Sequence, residues 1–108
     1  MSDDLQIEPR ALRERLAGNN PPLLVDVREP WEHGLCRLQS AQLIPLGELP
    51  GRYQELLEAE EVVLYCHHGI RSLDAAAWLR QQGVEGAKSL AGGIDRWALE
   101  IDSSIARY

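Results

Sequence analysis

The chain has 108 residues, 44% apolar and 26% charged, which suits one compact domain and argues against disorder or a second domain. Seventeen acidic and eleven basic side chains give a net charge of −6, so nucleic acid or an anionic membrane surface would meet long-range repulsion, and neither is expected as a partner. There is no run of about 18 apolar residues and the chain opens Met1-Ser2-Asp3-Asp4, so neither a membrane span nor a signal peptide is expected, and a cytoplasmic location is.

Ile7-Glu8-Pro9 leads into a helix over Arg10–Ala17 that stops at Gly18: proline suits a first helical position, and Leu12 and Leu16 share one face. Asn19-Asn20-Pro21-Pro22 breaks it, and the continuous apolar run Leu23–Val27 has the length of a strand covered on both faces, the mark of a parallel sheet. Ala41–Ile44 reads as a strand ended by Pro45. Gly47–Leu57 spaces Leu49, Tyr53, Leu56 and Leu57 as a helix, although Pro50 and Gly51 weaken its first turn. Val62–Tyr65 is the clearest strand. The helix expected from Arg71 to Gln82, terminated by Gly83, is apolar nearly all round and should be buried. A short strand over Ala87–Leu90 meets Ala91-Gly92-Gly93, and a last helix runs to about Leu99 with Trp97 as its anchor. No element is assigned to the tail, 100–108. Strands alternating with helices at this spacing predict an α/β domain, a mostly parallel central sheet with helices on both faces, its core at about 7–98.

Cys36 and Cys66 lie thirty positions apart, and without a signal peptide a structural disulfide between them is not expected. Context separates the two. Cys66 falls at the carboxyl end of a strand and directly before a helix, where ligands bind in open parallel sheets. Unpaired N–H groups and the positive end of the helix dipole favour an anion there, including a thiolate. From Cys66 to Leu73 there is no acidic residue, while His67, His68 and Arg71 are cationic or can become so. Gly69 can take positive φ and curl successive N–H groups inward as an anion-binding nest, and Arg71 is suited to holding an oxyanion at the mouth. The segment therefore reads as a cradle for a nucleophilic sulfur and a small anionic substrate.

Three motifs carry a family resemblance: Asp26-Val27-Arg28 with Glu32, Cys66-His67-His68-Gly69-Ile70-Arg71-Ser72, and Leu90-Ala91-Gly92-Gly93-Ile94-Asp95-Arg96-Trp97. In that order and at that spacing, the chain resembles the single-domain rhodanese-like sulfurtransferases from about Ile7 to Trp97. The resemblance implies that Cys66 takes a sulfane sulfur from a donor such as thiosulfate, becomes a persulfide, and passes the sulfur to cyanide or to a thiol, which a protein could carry. It implies no cofactor. His67, His68, Gly69, Ile70 and Arg71 would bind the substrate, with Asp26 and Arg28 as structural support that holds the loop by an ion pair or backbone hydrogen bonds.

Other readings compete. Phosphatases and arsenate reductases on this fold place five residues between Cys and Arg, whereas this chain has four, and its loop offers no general acid. Some rhodanese-like domains act as regulatory docking modules, which usually lack the cysteine, and a sulfur-relay module with little thiosulfate activity would keep it and overlap with the enzyme reading. His33-x-x-Cys36 and Cys66-His67-His68 have ligand-like spacing, yet adjacent residues seldom aim at one metal, so no metal is expected. The chain departs from the family pattern over Trp31–Ala41, where Cys36 and Ser40 each replace a glycine and Arg37 a histidine. Cys36 is read as a small packing residue, with a resolving-thiol role as the alternative.

Overall fold

A computed structural model describes residues 5–108. The acidic start, residues 1–4, on which the expectation of no signal peptide rests, lies outside them. Five strands form one sheet in the order β1-β5-β4-β2-β3: β1 (Gln6–Ile7), β2 (Leu23–Asp26), β3 (Gln42–Leu43), β4 (Val62–Tyr65) and β5 (Ala87–Leu90). Every pairing is parallel.

Strand β4 is central, and its side chains alternate between two apolar layers. Val62 and Leu64 join Val25, Leu49, Leu56, Ala75, Ala76 and Leu79 in one layer. Val63 and Tyr65 join Leu12, Leu24, Ile94 and Trp97 in the other. Helices therefore cover both faces: α3 (Leu49–Arg52) and α4 (Ile70–Gln81) the first, α1 (Pro9–Leu16) and α5 (Gly93–Glu100) the second. This is why β2 and β4 read as unbroken apolar runs. The same period of two carries Cys66, the residue after β4, into the α4 layer.

The structure corrects two expectations and adds one element. The helix expected over Gly47–Leu57 is split into a 3-10 turn at Leu46–Glu48, the four residues of α3, and a second 3-10 turn at Tyr53–Leu56, because Pro50 and Gly51 interrupt a regular helix. Leu49 and Leu56 are buried all the same. Helix α4 is buried on one side only: Ser72, Ala75, Ala76 and Leu79 face the sheet, while Ile70 is 74% exposed and Asp74 is open to solvent, since a single layer of helices covers each face. The segment 30–35, to which no element is assigned from the sequence, forms α2 (Pro30–Leu35). Its start is a capping box: the Glu29 side chain accepts from the N3 backbone, and the Glu32 side chain accepts from the Glu29 N–H at 2.9 Å. Glu29-Pro30 followed by Glu32 carried that signal in the sequence. Among the described residues, no helix is long and apolar enough to cross a membrane.

Candidate active site

Cys66 sits at the end of β4, 1% exposed, and the chain turns sharply around its sulfur. The N–H groups of Gly69 and Ser72 donate to Sγ at 3.1 and 3.3 Å. The thiol in turn reaches Ser72 Oγ at 3.4 Å, which shares a 2.7 Å hydrogen bond with Ser89 Oγ on β5. Both serines are fully buried. Neither serine is among the site residues expected from the sequence. Their signal was that two hydroxyls in an apolar layer need partners.

The curl of the loop is imposed from outside it. The first N–H groups of α5 lack helical partners, and those of Ile94 and Asp95 donate to the carbonyls of Cys66 and His67 at 2.9 and 3.1 Å. Turning these carbonyls toward α5 leaves the N–H groups of Gly69 and Ser72 directed at the sulfur. Gly69 caps α4 with φ +99°. Gly92 and Gly93 take φ +75° and +64°, and a Cβ on Gly93 would stand 2.6 Å from the Cys66 carbonyl oxygen. The Gly-Gly step is thus needed for both conformation and close approach.

Beside the loop a chain of charges runs from β2 to α4. Asp26 and Arg28, both fully buried, form a two-pronged pair at 2.8 and 2.7 Å, and His33 Nδ1 lies 2.8 Å from Asp26. Arg28 also donates to the Cys36 carbonyl and, at 2.8 Å, to the Tyr108 hydroxyl. Tyr108 donates at 2.6 Å to Glu32, whose two oxygens accept from Arg71 at 3.0 and 3.1 Å. Burial alone would raise the Glu32 carboxyl, but the Arg71 guanidinium and the Tyr108 hydroxyl outweigh it and bring it down to about 2. Burial and the Glu32 carboxylate push the Tyr108 phenol up to about 12.

The structure places the expected site residues as follows. His67 is partly buried, its ring stacked at 3.9 Å on both His68 and Tyr108. Burial and the neighbouring His68 lower its pKa, which disfavours the charged form. His68 is exposed, with Nε2 3.9 Å from Asp95. Ile70 stands at the rim, its side chain open to solvent. Arg71 is not the free cation that an acid-free loop suggested: the acid comes from α2, thirty-nine positions away. His33 and Cys36 both turn toward the Asp26–Arg28 pair instead of forming a ligand set. Cys36 and Cys66 are free thiols belonging to opposite layers of the sheet. Arg37 lines a separate hollow with Leu24, Trp97 and Asp102. One ligand atom from each of His67, His68 and Asp95 lies within 4.8 Å of the others, but Arg107 already holds the Asp95 carboxylate at 2.9 Å.

The tail that received no element in the sequence supplies Tyr108, which closes the charged side of the cleft and also meets Trp31 edge-on at 5.9 Å between ring centres. A hydroxyl eighty positions from Arg28 leaves no local signal.

Comparison with known proteins agrees with this architecture. The family model of the rhodanese-like domain matches residues 8–100. A sulfurtransferase of Allochromatium vinosum is 39% identical over 93 residues, 86% of this chain and 87% of that protein. A probable adenylyltransferase/sulfurtransferase of Mycobacterium tuberculosis is 35% identical over 94% of this chain, which spans 26% of that longer protein. Among solved structures, a human single-domain sulfurtransferase superposes with a TM-score of 0.77 at 30% identity, covering 89% of this chain and 96% of that one.

Proposed function

The chain belongs to the rhodanese-like family, and from that premise we propose that it is a sulfurtransferase that carries a sulfane sulfur on Cys66. The Cys66 thiolate attacks the outer sulfur of a donor such as thiosulfate, the donor's S–S bond breaks, and sulfite leaves with the bonding electron pair. The Cys66 persulfide then gives its outer sulfur to cyanide or to a thiol, possessed by a small molecule or a protein, and the thiolate is regenerated. No electron is gained or lost from outside, so no redox cofactor takes part.

The observation that carries this reading is the pair of N–H groups, from Gly69 and Ser72, aimed at Cys66 Sγ. They solvate a sulfur anion in a site almost closed to water, and preorganised donors are worth most there. Asp26 and Arg28 support the site through the Cys36 carbonyl and Tyr108 and do not touch the sulfur. The second reading, a regulatory docking module, has no use for a buried thiol so provided with donors.

Mass spectrometry of the protein after incubation with a sulfane-sulfur donor is expected to find one added sulfur atom on Cys66. Cys66→Ser is expected to abolish loading and transfer, and Cys36→Ser to leave both in place. Undiminished transfer by Cys66→Ser would sink the mechanism.

A further inference from the structure

We propose that Glu32, by holding Arg71, selects the class of sulfur donor, so that the site takes singly charged persulfides, R–S–S−, in preference to doubly charged thiosulfate. This deepens the Cys66 reading above and rests on it.

Among the described residues, the cations around the loop are each engaged. Both Glu32 oxygens hold Arg71, and both Asp26 oxygens hold the buried Arg28. Arg107 and His68 both face the single carboxylate of Asp95, Arg107 at 2.9 Å. Burial and the neighbouring His68 disfavour a charge on His67. The mouth of the cleft is thus close to neutral, in a protein whose total charge is −6.

Arg71 cannot leave Glu32 easily. The carboxylate is 4% exposed and is fixed by the Tyr108 hydroxyl at 2.6 Å and the Glu29 N–H at 2.9 Å. Drawing the guanidinium away would strand a buried negative charge. A dianion arriving at Cys66 therefore finds backbone donors but no spare cation.

The two donors differ in the charge that must be accommodated. With thiosulfate, thiolate attack on the outer sulfur breaks the S–S bond and releases sulfite carrying two negative charges. With a persulfide, the Cys66 thiolate attacks the terminal sulfur, the donor's S–S bond breaks, and R–S− leaves with the bonding electron pair. The new Cys66 persulfide and the departing thiolate each carry a single negative charge. Atoms and charges balance in both cases, and only the first places a dianion in a neutral cleft.

Single-turnover loading of Cys66, followed by mass spectrometry with thiosulfate and with cysteine persulfide, gives a maximal rate and a half-saturating concentration for each. The wild-type protein is expected to favour cysteine persulfide by about tenfold or more in their ratio. Glu32→Gln keeps an acceptable N3 residue in the capping box but removes the charge on Arg71's partner. It should shift the ratio of thiosulfate to persulfide loading about tenfold toward thiosulfate, through the half-saturating concentration and not the maximal rate. Added NaCl supplies a readout that needs no variant: wild-type loading by thiosulfate should hold steady or rise as the net negative charge is screened. Equal use of both donors by the wild-type protein, a decline with salt, or equal losses for both donors in Glu32→Gln would overturn the assignment of Glu32. If neither donor leaves sulfur on Cys66, the Cys66 reading itself fails.

Discussion

The two sides of the cleft hold their shape by different physics. The side from Cys66 to Ser72 surrounds the sulfur with uncharged groups: two backbone N–H groups, two buried serine hydroxyls and glycines at positive φ define it. The side built from Asp26, Arg28 and Glu32, completed by Tyr108 and Arg71, is a string of charges, each opposed by its neighbour. Chain geometry fixes the first whatever the pH. Ionisation fixes the second, whose hold lasts only while its carboxylates are charged.

The sharpest way to break the uncharged side is Gly93→Ala. Its methyl group would press on the Cys66 and His67 carbonyls, in a backbone conformation that alanine adopts only with strain. Helix α5 would have to retreat, loosening the bonds from Ile94 and Asp95 that curl the loop. Loading of Cys66 is expected to fall by about a hundredfold, since reacting groups displaced by roughly an ångström lose about that much. The charged side should survive, because its bonds involve neither α5 nor Gly93. A variant that loads sulfur at the wild-type rate would show that the α5 contacts do not set the loop.

Acid probes the charged side, and its effect falls on stability. Glu32 in the folded protein is brought to about 2 from an ordinary 4.5, so folding gains from its ionisation above about pH 4.5 and loses that gain as pH drops toward 2. The whole contribution is about 3 kcal/mol. Denaturant unfolding of wild type and Glu32→Gln at pH 7 and at pH 3 is the measurement. The wild-type protein should lose more stability between the two, and equal losses would place the acid-sensitive contact elsewhere.

The same contrast explains what could be read in advance. Cys66, Gly69 and the Gly92-Gly93 step are short-range statements, a nucleophile at a strand end and glycines where the chain must curl, and the strand–helix alternation around them is equally local. The sheet was legible for that reason, as was the loop. The opposing side is assembled from residues that are far apart, with Glu32 meeting Arg71 across thirty-nine positions and Tyr108 meeting Arg28 across eighty. Scanning Cys66 to Leu73 for acids finds none, yet in space Glu32 neutralises its arginine and Asp95 flanks His68. Local composition therefore overstated the positive charge at the mouth. Helix α2 lies between these cases: its capping box is local, but with six residues it is too short for an apolar period to show.

The smallest expected effect locates the outer edge of the charged side. Ser40 has φ +70° and is the only residue other than glycine, among those described, with positive φ. A side chain there costs about 1 kcal/mol relative to glycine, partly offset because glycine gives up more freedom on folding. Ser40→Gly is expected to stabilise the protein by about 0.5 kcal/mol, raising the melting temperature by about 3 °C. Loading of Cys66 should not change, since Ser40 lines a hollow with Pro21, Pro22 and Leu23, toward the start of β2, whereas Asp26 ends that strand. The turn has one route to the site. Leu38, whose carbonyl accepts from the Ala41 N–H, donates its own N–H at 3.1 Å to the Tyr65 hydroxyl, and the Arg28 guanidinium lies over the Tyr65 ring. A change in loading rate in Ser40→Gly would mean that this route transmits strain, and that the charged side extends from Asp26 to the turn at residue 40.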